Sequence, residues 1–429
     1  MKSIVFLLLS FQAIASFAQA QPDPCPTPPF IRGLRVFGGS DERNLPVLAK
    51  ADSGRTTASS TLPDFITIRF DVEEQAPPRL KIRFRHCDKD WNIDTDLFVR
   101  DDFFTFTRTL FYEPSIAGDR GFSWRFENRF PSVDHPFVRF LYSGNWIFEI
   151  TDEFDDSQVY ASGRFICVEP IVRCGLQVYN DFWTDFDSPL DQVHRLRLHI
   201  DVPDRLFADF VRTADFYKNF NLFDAERVDS YDFKPHTFVE GLGLKQKVLT
   251  LRNMLPGNSP RNFDFSRPAV YPSSTVITRF GGPDVTRYLF SADPAVHFGS
   301  AITPPLRSWD TEYLCVRFEL EHPRIRGRDV FVAGIFNNWD PQPADRMTYD
   351  ESSGHYLLDR RLLRGSYDYL YVLGNYDEEA RYVRDADWIS LEGNSWAAQN
   401  LYWAVVYYDD DQFGGVTRAV GFARVISGQ

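Results

Sequence analysis

The sequence predicts an all-β protein made of about three β-sandwiches in tandem. Three observations carry that prediction. Apolar and polar residues alternate with a period of two in one segment after another, the side chains are rich in sheet-forming aromatics, and no long amphipathic helix with firm caps is present. Phe 40, Tyr 19 and Trp 9 against Met 3 suits pleated sheet faces better than helical filler. With 429 residues, 43% of them hydrophobic and 25% charged, the chain can bury several cores and is neither disordered nor of low complexity.

A basic start, Met1-Lys2-Ser3, an apolar run from Ile4 to Phe17 and the small-x-small triplet Ala18-Gln19-Ala20 read as a secretory signal peptide over 1–20. The run is too short for a membrane span, and no later stretch is long and apolar enough for one. A Pro-rich segment at 21–29 follows. The first sandwich is expected over 30–170, with an early strand at 30–37. Ile66, Ile68, Phe70 and Val72 then alternate with Thr67, Arg69 and Asp71, and Leu80, Ile82 and Phe84 with Lys81, Arg83 and Arg85. Strands at 137–141, 145–150 and 158–168 complete it. The middle β domain, 171–304, opens with Val172 to Val178 and continues through Leu196, Leu198 and Ile200, with a turn at 253–258 and a strand at 287–298. Asp204 to Phe216 is the best helix candidate. The C-terminal sandwich, 305–429, has strands around 314–320, 330–335, 367–373 and 401–408.

The net charge of -13 argues against a nucleic-acid partner, which needs a cationic surface. Five cysteines, Cys25, Cys87, Cys167, Cys174 and Cys315, are too few and too widely spaced for a dense disulfide framework; buried free thiols are the ordinary reading and no pairing is assigned. The signatures that place a serine nucleophile, a zinc ion or a nucleotide phosphate are missing. His194 and His199 stand an odd number of residues apart on one strand, so they face opposite sides and cannot share a metal. Asp409-Asp410-Asp411 before Gly414-Gly415 lacks the ligand pattern of a calcium loop and reads as a hairpin turn. No catalytic, cofactor or metal residue is assigned, and the chain is read as non-enzymatic.

Two constellations stand out. His86-Cys87-Asp88-Lys89-Asp90-Trp91 ends an alternating strand, with His86 on the face of Phe84 and Asp88 and Asp90 in the turn, where side-chain hydrogen bonds can hold the backbone. Val330 to Ile335 leads to Asn337-Asn338-Trp339, and Gly365 is followed by Tyr367, Tyr369 and Tyr371. This order resembles the early-set immunoglobulin-like modules of glycogen-binding and branching-enzyme proteins. Packing of Trp339 and the tyrosines inside the sandwich is the favoured reading. An exposed Trp339 stacking on a sugar is the alternative, and would make the protein a periplasmic carbohydrate-binding module.

Taken in order, these motifs and others resemble the plug-protein family of the bacterial type IX secretion system. The carriers are His86-Cys87-Asp88 with Asp90-Trp91, Ser143-Gly144-Asn145-Trp146, Gly163-Arg164-Phe165, Asn253 with Pro256-Gly257-Asn258, Phe263-Asp264, the Asn-Trp module, Glu392-Gly393-Asn394, and Asn400 with Tyr402. Trp146 stands where the family more usually has tyrosine, Arg364-Gly365 replaces Lys-Gln-Gly, and the middle domain matches loosely. The resemblance implies tandem immunoglobulin-like sandwiches in a periplasmic protein, peripheral to the inner face of the outer membrane. It also implies a partner, a large outer-membrane β-barrel translocon, whose inner mouth the protein closes when no substrate is passing.

Overall fold

The computed structural model describes residues 25, 30–50, 62–95, 105–116, 121–183, 192–232, 234–273, 276–288, 294–306, 308, 310–410 and 416–428. The expected leader at 1–20, most of the Pro-rich segment and the Gly414-Gly415 turn lie outside these residues. Among the described residues the molecule is all-β, with six sheets.

The N-terminal part holds β1 (Arg32–Gly38), β2 (Val47–Ala49), β3 (Ile66–Val72), β4 (Leu80–Cys87), β5 (Glu113–Pro114), β6 (Trp124–Phe130), β7 (Gly144–Asp152) and β8 (Val159–Val168). One sheet runs β1-β3-β6-β5 and the other β2-β8-β7-β4. Their facing sides share a core that includes Ile68, Phe70, Ile82, Phe84, Phe126 and Phe148. The alternation in β3 and β4 thus delivers one row of side chains inward, as period two requires. The segment 137–141 is no strand. Val138 and Phe140 still enter the core while Phe137 and Leu141 stay outside. An extended backbone can alternate without ladder bonds, so periodicity alone overcounts strands here.

The middle part holds β9 (Arg173–Phe182), β10 (Gln192–Asp201), β11 (Val211–Lys218), β12 (Glu226–Asp229), β13 (Thr237–Glu240) and β14 (Gln246–Met254). The helix expected over 204–216 is instead a short 3-10 turn, Ala208–Phe210, running into β11. Its β-branched and aromatic residues, Val211, Thr213 and Phe216, favour the strand. The C-terminal part holds β15 (Arg261–Asp264), β16 (Asp284–Val285), β17 (Ala301–Ile302), β18 (Tyr313–Glu321), β19 (Asp329–Gly334), β20 (Thr348–Asp350), β21 (His355–Leu363), β22 (Ser366–Asp377), β23 (Tyr382–Asp387), β24 (Leu401–Asp410) and β25 (Val416–Ile426). No described strand covers the one expected at 287–298, of which 289–293 lie outside the described residues.

Strand pairing crosses the linear boundaries. The middle sandwich has one sheet of β13-β14-β10-β9 and another of β12-β11-β24-β25, so the last hairpin of the chain closes it. Conversely, β15, β16 and β17, drawn from before residue 304, pair with β22 and β18 in the C-terminal sheets. The run Leu401-Tyr402-Trp403-Ala404-Val405-Val406-Tyr407-Tyr408 has no polar side, which is the pattern of a strand covered on both faces. Tyr402, Ala404, Val406 and Tyr408 enter the core of the middle sandwich. Leu401, Trp403, Val405 and Tyr407 enter a second core that is continuous with the C-terminal sandwich and reaches Val47 and Ile166 of the N-terminal one.

Two of the five cysteines depart from the free-thiol reading. Cys25 and Cys315 form a disulfide across 290 residues of sequence, fastening the first described residue to β18. Cys87 and Cys167 are buried thiols and Cys174 is partly buried; burial pushes all three up to about 12.

Two outcomes are expected. Trp403→Ala, which removes a fully buried ring from the shared core, lowers unfolding free energy by about 3–5 kcal/mol in urea titration. Peptide mapping without reductant yields a single cross-linked species joining Cys25 to Cys315, and Cys25→Ser lowers stability by roughly 2–4 kcal/mol.

Candidate functional site

The motif residues converge on the joints between sandwiches. At the end of β4 the His86 ring is held at both nitrogens, Nδ1 by Asp94 Oδ2 at 2.6 Å and Nε2 by the Ser143 carbonyl at 3.1 Å. It also packs edge-on against Trp146 at 5.2 Å. Gly144 follows with φ +144°, and a Cβ there would lie 2.4 Å from His86 Nε2, so only glycine fits beside the ring. Asp88 Oδ1 accepts the backbone N–H groups of Asp90 and Asn92 at 2.8 and 2.9 Å, the geometry of an Asx turn. Trp91 takes the left-handed conformation at the turn's end, with φ 64°. Cys87 lies buried beneath, without a metal partner set: among the described residues no group of three or more His, Cys, Asp or Glu is arranged to hold an ion.

This turn is the foot by which the N-terminal sandwich stands on the middle one. Asn145, fully buried, donates to the carbonyls of Asp88 and Lys89 at 3.2 and 3.4 Å and accepts the Tyr407 hydroxyl of β24 at 2.9 Å. Arg227 of β12 grips Asp215 in a bidentate pair at 2.6 and 2.9 Å, donates to the Lys89 carbonyl at 2.8 Å and pairs with Asp90. Burial raises the Asp215 carboxyl above its ordinary range, and the guanidinium opposes that shift.

A second joint connects the N-terminal and C-terminal sandwiches. Arg69 pairs with Glu42 at 2.8 Å and donates to Thr303 at 2.9 Å, while Arg35 reaches Ser300 at 3.0 Å. Burial would raise Glu42, but Arg69 and Arg35 outweigh it and hold the carboxyl below the usual range. Nearby, Asp71 forms a bidentate pair with Arg125 at 2.6 and 2.8 Å and accepts the Tyr313 hydroxyl at 2.9 Å.

The third joint is an asparagine network between the middle and C-terminal sandwiches. Asn219, just after β11, donates to Asn400 Oδ1 at 2.9 Å and accepts the Leu401 N–H at 2.9 Å, and its carbonyl accepts the Trp403 indole at 2.8 Å. Asn400 donates to the Pro256 carbonyl at 3.0 Å, Asn258 to the Glu392 carbonyl at 2.9 Å, and Asn394 accepts the Gly257 N–H at 2.8 Å. The fully buried Glu392 binds Arg261 at 3.0 Å, Arg287 at 2.8 Å and the Tyr371 N–H at 2.8 Å. Gly393 has φ +83°, and a Cβ would meet the Arg287 carbonyl at 2.7 Å.

Residues 42–169 match the family described as type 9 secretion system plug protein 1st domain. The N-terminal sandwich is thus similar to the first domain of type 9 secretion system plug proteins. A crystal structure of a hypothetical protein from Parabacteroides merdae is similar in fold along most of the chain: TM-score 0.73 at 19% identity, over 92% of this chain and 97% of that chain. Dpr2 Ig1-Ig2 in complex with DIP-Theta Ig1-Ig3 reaches a TM-score of 0.16 at 13% identity, over 48% of this chain and 80% of that chain, which supports no argument. No curated protein matches the chain significantly.

Within the matched region, His86, Cys87, Asp88, Asp90, Trp91, Ser143, Gly144 and Asn145 come together as one joint. The Asn-Trp module lies elsewhere and is internal. Asn337 accepts the Gly334 N–H and donates to the Val332 carbonyl, both at 2.9 Å, and Asn338 and Trp339 turn the chain with φ 54° and 61°. The Trp339 side chain is buried, with the residue 4% exposed and its indole on the Gly299 carbonyl at 2.8 Å, so it presents no open face for a sugar. Tyr367, Tyr369 and Tyr371 are likewise buried. Tyr369 and Tyr371 both donate to Asp284, the latter at 2.8 Å, and Tyr367 donates to the Leu363 carbonyl at 2.8 Å. Sequence reasoning missed Asn219, Asp215 and Arg227, whose roles depend on partners far away in the chain. For the joint as a whole, the one available signal is the unbroken apolar run of β24.

Arg227→Ala strands a buried carboxylate and is expected to destabilise the protein by about 3 kcal/mol or more in denaturant titration, with Asp215→Asn added to it recovering part of the loss. His194 provides a pH test. It is fully buried against the Tyr402 hydroxyl at 2.9 Å, and burial, helped by the Lys218 charge, lowers its pKa from 6.5 to about 4. Because the folded state binds this proton more weakly than the unfolded one, the stability it confers is complete above 6.5 and is lost as pH falls toward about 4. Asp340 and Asp368, raised to about 6 by burial, act in the opposite sense over that interval. The expected reading is therefore a difference: the stability gap between wild type and His194→Asn narrows on acidification.

Proposed function

We propose that this protein is a non-enzymatic, periplasmic component of the type 9 secretion system that caps the inner mouth of an outer-membrane β-barrel translocon while no substrate is passing. The plug-domain match supports a role in that secretion system. The observation that carries the capping reading is mechanical. Among the described residues every pair of sandwiches is fastened by its own joint, and the middle sheet is buried on both faces, which favours movement of the units as one body. A lid must resist deformation and leave as a unit.

Scale favours use of the whole chain. A barrel of about 36 strands would be roughly 70 Å across, wider than the solutes a membrane must retain. A compact chain of this length has a radius of gyration of ~22 Å and spans near ~55 Å, enough to cover a narrowed mouth, whereas a single sandwich is too small. The Cys25–Cys315 disulfide supports an oxidising compartment, consistent with export. Among the described residues no helix is long and apolar enough to cross a membrane. A reversible contact of this kind needs polar complementarity with a few aromatic anchors rather than a wholly apolar face.

The test is affinity purification of the tagged full chain from detergent-solubilised outer membranes. Co-purification of a giant barrel protein is the expected result. Recovery of soluble partners alone overturns the reading.

A further inference from the structure

A cleft of about 1050 Å³ opens between the middle and C-terminal sandwiches, beside the asparagine joint, whose Asn219, Gly257 and Asn258 belong to its lining. One wall comes from the ends of β11 and β14, with Lys218, Asn253, Met254 and Leu255, and the other from 386–390 after β23, with Trp388 at its centre. Trp339 and Leu370 belong to its lining, and Trp183 and Tyr288 also contribute rings. A cavity this large between domains, apolar with a few polar groups, is the ordinary form of a ligand site.

Two of the cleft's three tryptophans, Trp183 and Trp388, differ from Trp339 at the indole N–H. Trp124, Trp146, Trp339, Trp396 and Trp403 each place the indole N–H on a backbone carbonyl at 2.8–3.2 Å. Trp183 and Trp388, both partly exposed and both lining the cleft, have no such acceptor among the described residues. The cleft therefore holds two rings with polar edges left open, and an indole with an unused N–H suits a partner that offers both an apolar face and hydroxyl acceptors.

The surrounding polar groups narrow the chemistry. Lys218 donates to the carbonyls of Leu255 at 3.1 Å and Pro256 at 3.5 Å, and no carboxylate reaches it within ion-pair distance among the described residues. Asn221 uses its Oδ1 to accept the Phe223 N–H at 2.9 Å, leaving its amide hydrogens to other acceptors. Asp224 and Glu226 supply acceptors, with His236 4.0 Å from Glu226. Cations and carboxylates are close to balanced, which disfavours a simple anion or cation. Donors, acceptors and flat rings in one charge-balanced cleft are instead what a neutral polyhydroxylated chain requires, since each sugar ring has apolar C–H faces and a rim of hydroxyls that both donate and accept.

We infer that the interdomain cleft bounded by Trp183, Trp388, Lys218 and Asn221 is an oligosaccharide-binding site. The site borders the Trp339 ring, which at 4% exposure offers no stacking face of its own, and it does not depend on the capping role. Titration of the full chain with three neutral hexasaccharides, cellohexaose, maltohexaose and chitohexaose, followed by calorimetry and tryptophan fluorescence, is the experiment. At least one of them binds saturably, with a dissociation constant on the order of 10⁻⁴ M. Trp388→Ala and Trp183→Ala each weaken that binding by about tenfold or more, while Trp124→Ala, on the N-terminal sandwich, leaves it unchanged. Melting followed by circular dichroism confirms that the variants are folded. Should Trp388→Ala fail to fold, Trp388→Phe keeps the ring, loses the N–H, and still weakens binding. Absence of binding by all three sugars at about 5 mM, or binding undiminished in both tryptophan variants, overturns the assignment.

Discussion

The double burial of β24 is the constraint on which the rest of the molecule depends. A strand with apolar side chains on both faces must be covered twice, and here the two covers are different sandwiches. That arrangement ties the C-terminal hairpin to the middle unit while its other face belongs to the neighbouring core. Separating the units would expose Trp403, Val405 and Tyr407 to water at roughly 25 cal/mol for each Å² uncovered. Shape is therefore held chiefly by nonspecific burial, and the polar joints set the register in which the buried surfaces meet.

The joints share a chemistry suited to that second task. Each sets fully or largely buried polar side chains against backbone carbonyls, N–H groups or a bidentate partner, so a sliding displacement would leave donors and carboxylates unsatisfied. Arginine dominates these contacts: Arg35, Arg69, Arg125, Arg227 and Arg261 each serve a carboxylate while several also serve a carbonyl or hydroxyl. The planar fork of donors permits that sharing where a lysine ammonium would not. The Arg-rich cation composition, which a coding bias alone could produce, thus has a structural use in this chain.

Much of the local architecture was legible in the residues. The period-two runs at 66–72, 80–85 and 314–320 are strands whose alternate apolar positions face a core, and in 66–72 the polar row Thr67, Arg69 and Asp71 is buried as well. Asp88 and Asp90 were recognisable as turn chemistry. Less legible was anything settled by distant pairing. That β24 joins β11, that Cys25 meets Cys315, and that Asn219 bridges Asn400 all rest on contacts about 180 or more residues apart, and a residue's own neighbourhood carries no record of such a partner. The apolar alternation at 137–141 misled for the opposite reason, since it records burial faithfully but not ladder bonding. Motif residues expected as candidate contacts lie largely inside the molecule: His86, Asn145, Trp339, Tyr367, Tyr369 and Tyr371 are all buried.

The disulfide from Cys25 to β18 has a further mechanical meaning. Tension applied at Cys25 travels through a covalent bond into the last sandwich and bypasses the strands of the N-terminal sandwich. A pull from that side would drag the assembly along as a whole instead of peeling it open from β1, so the fold is loaded in parallel where the order of its strands suggests a series.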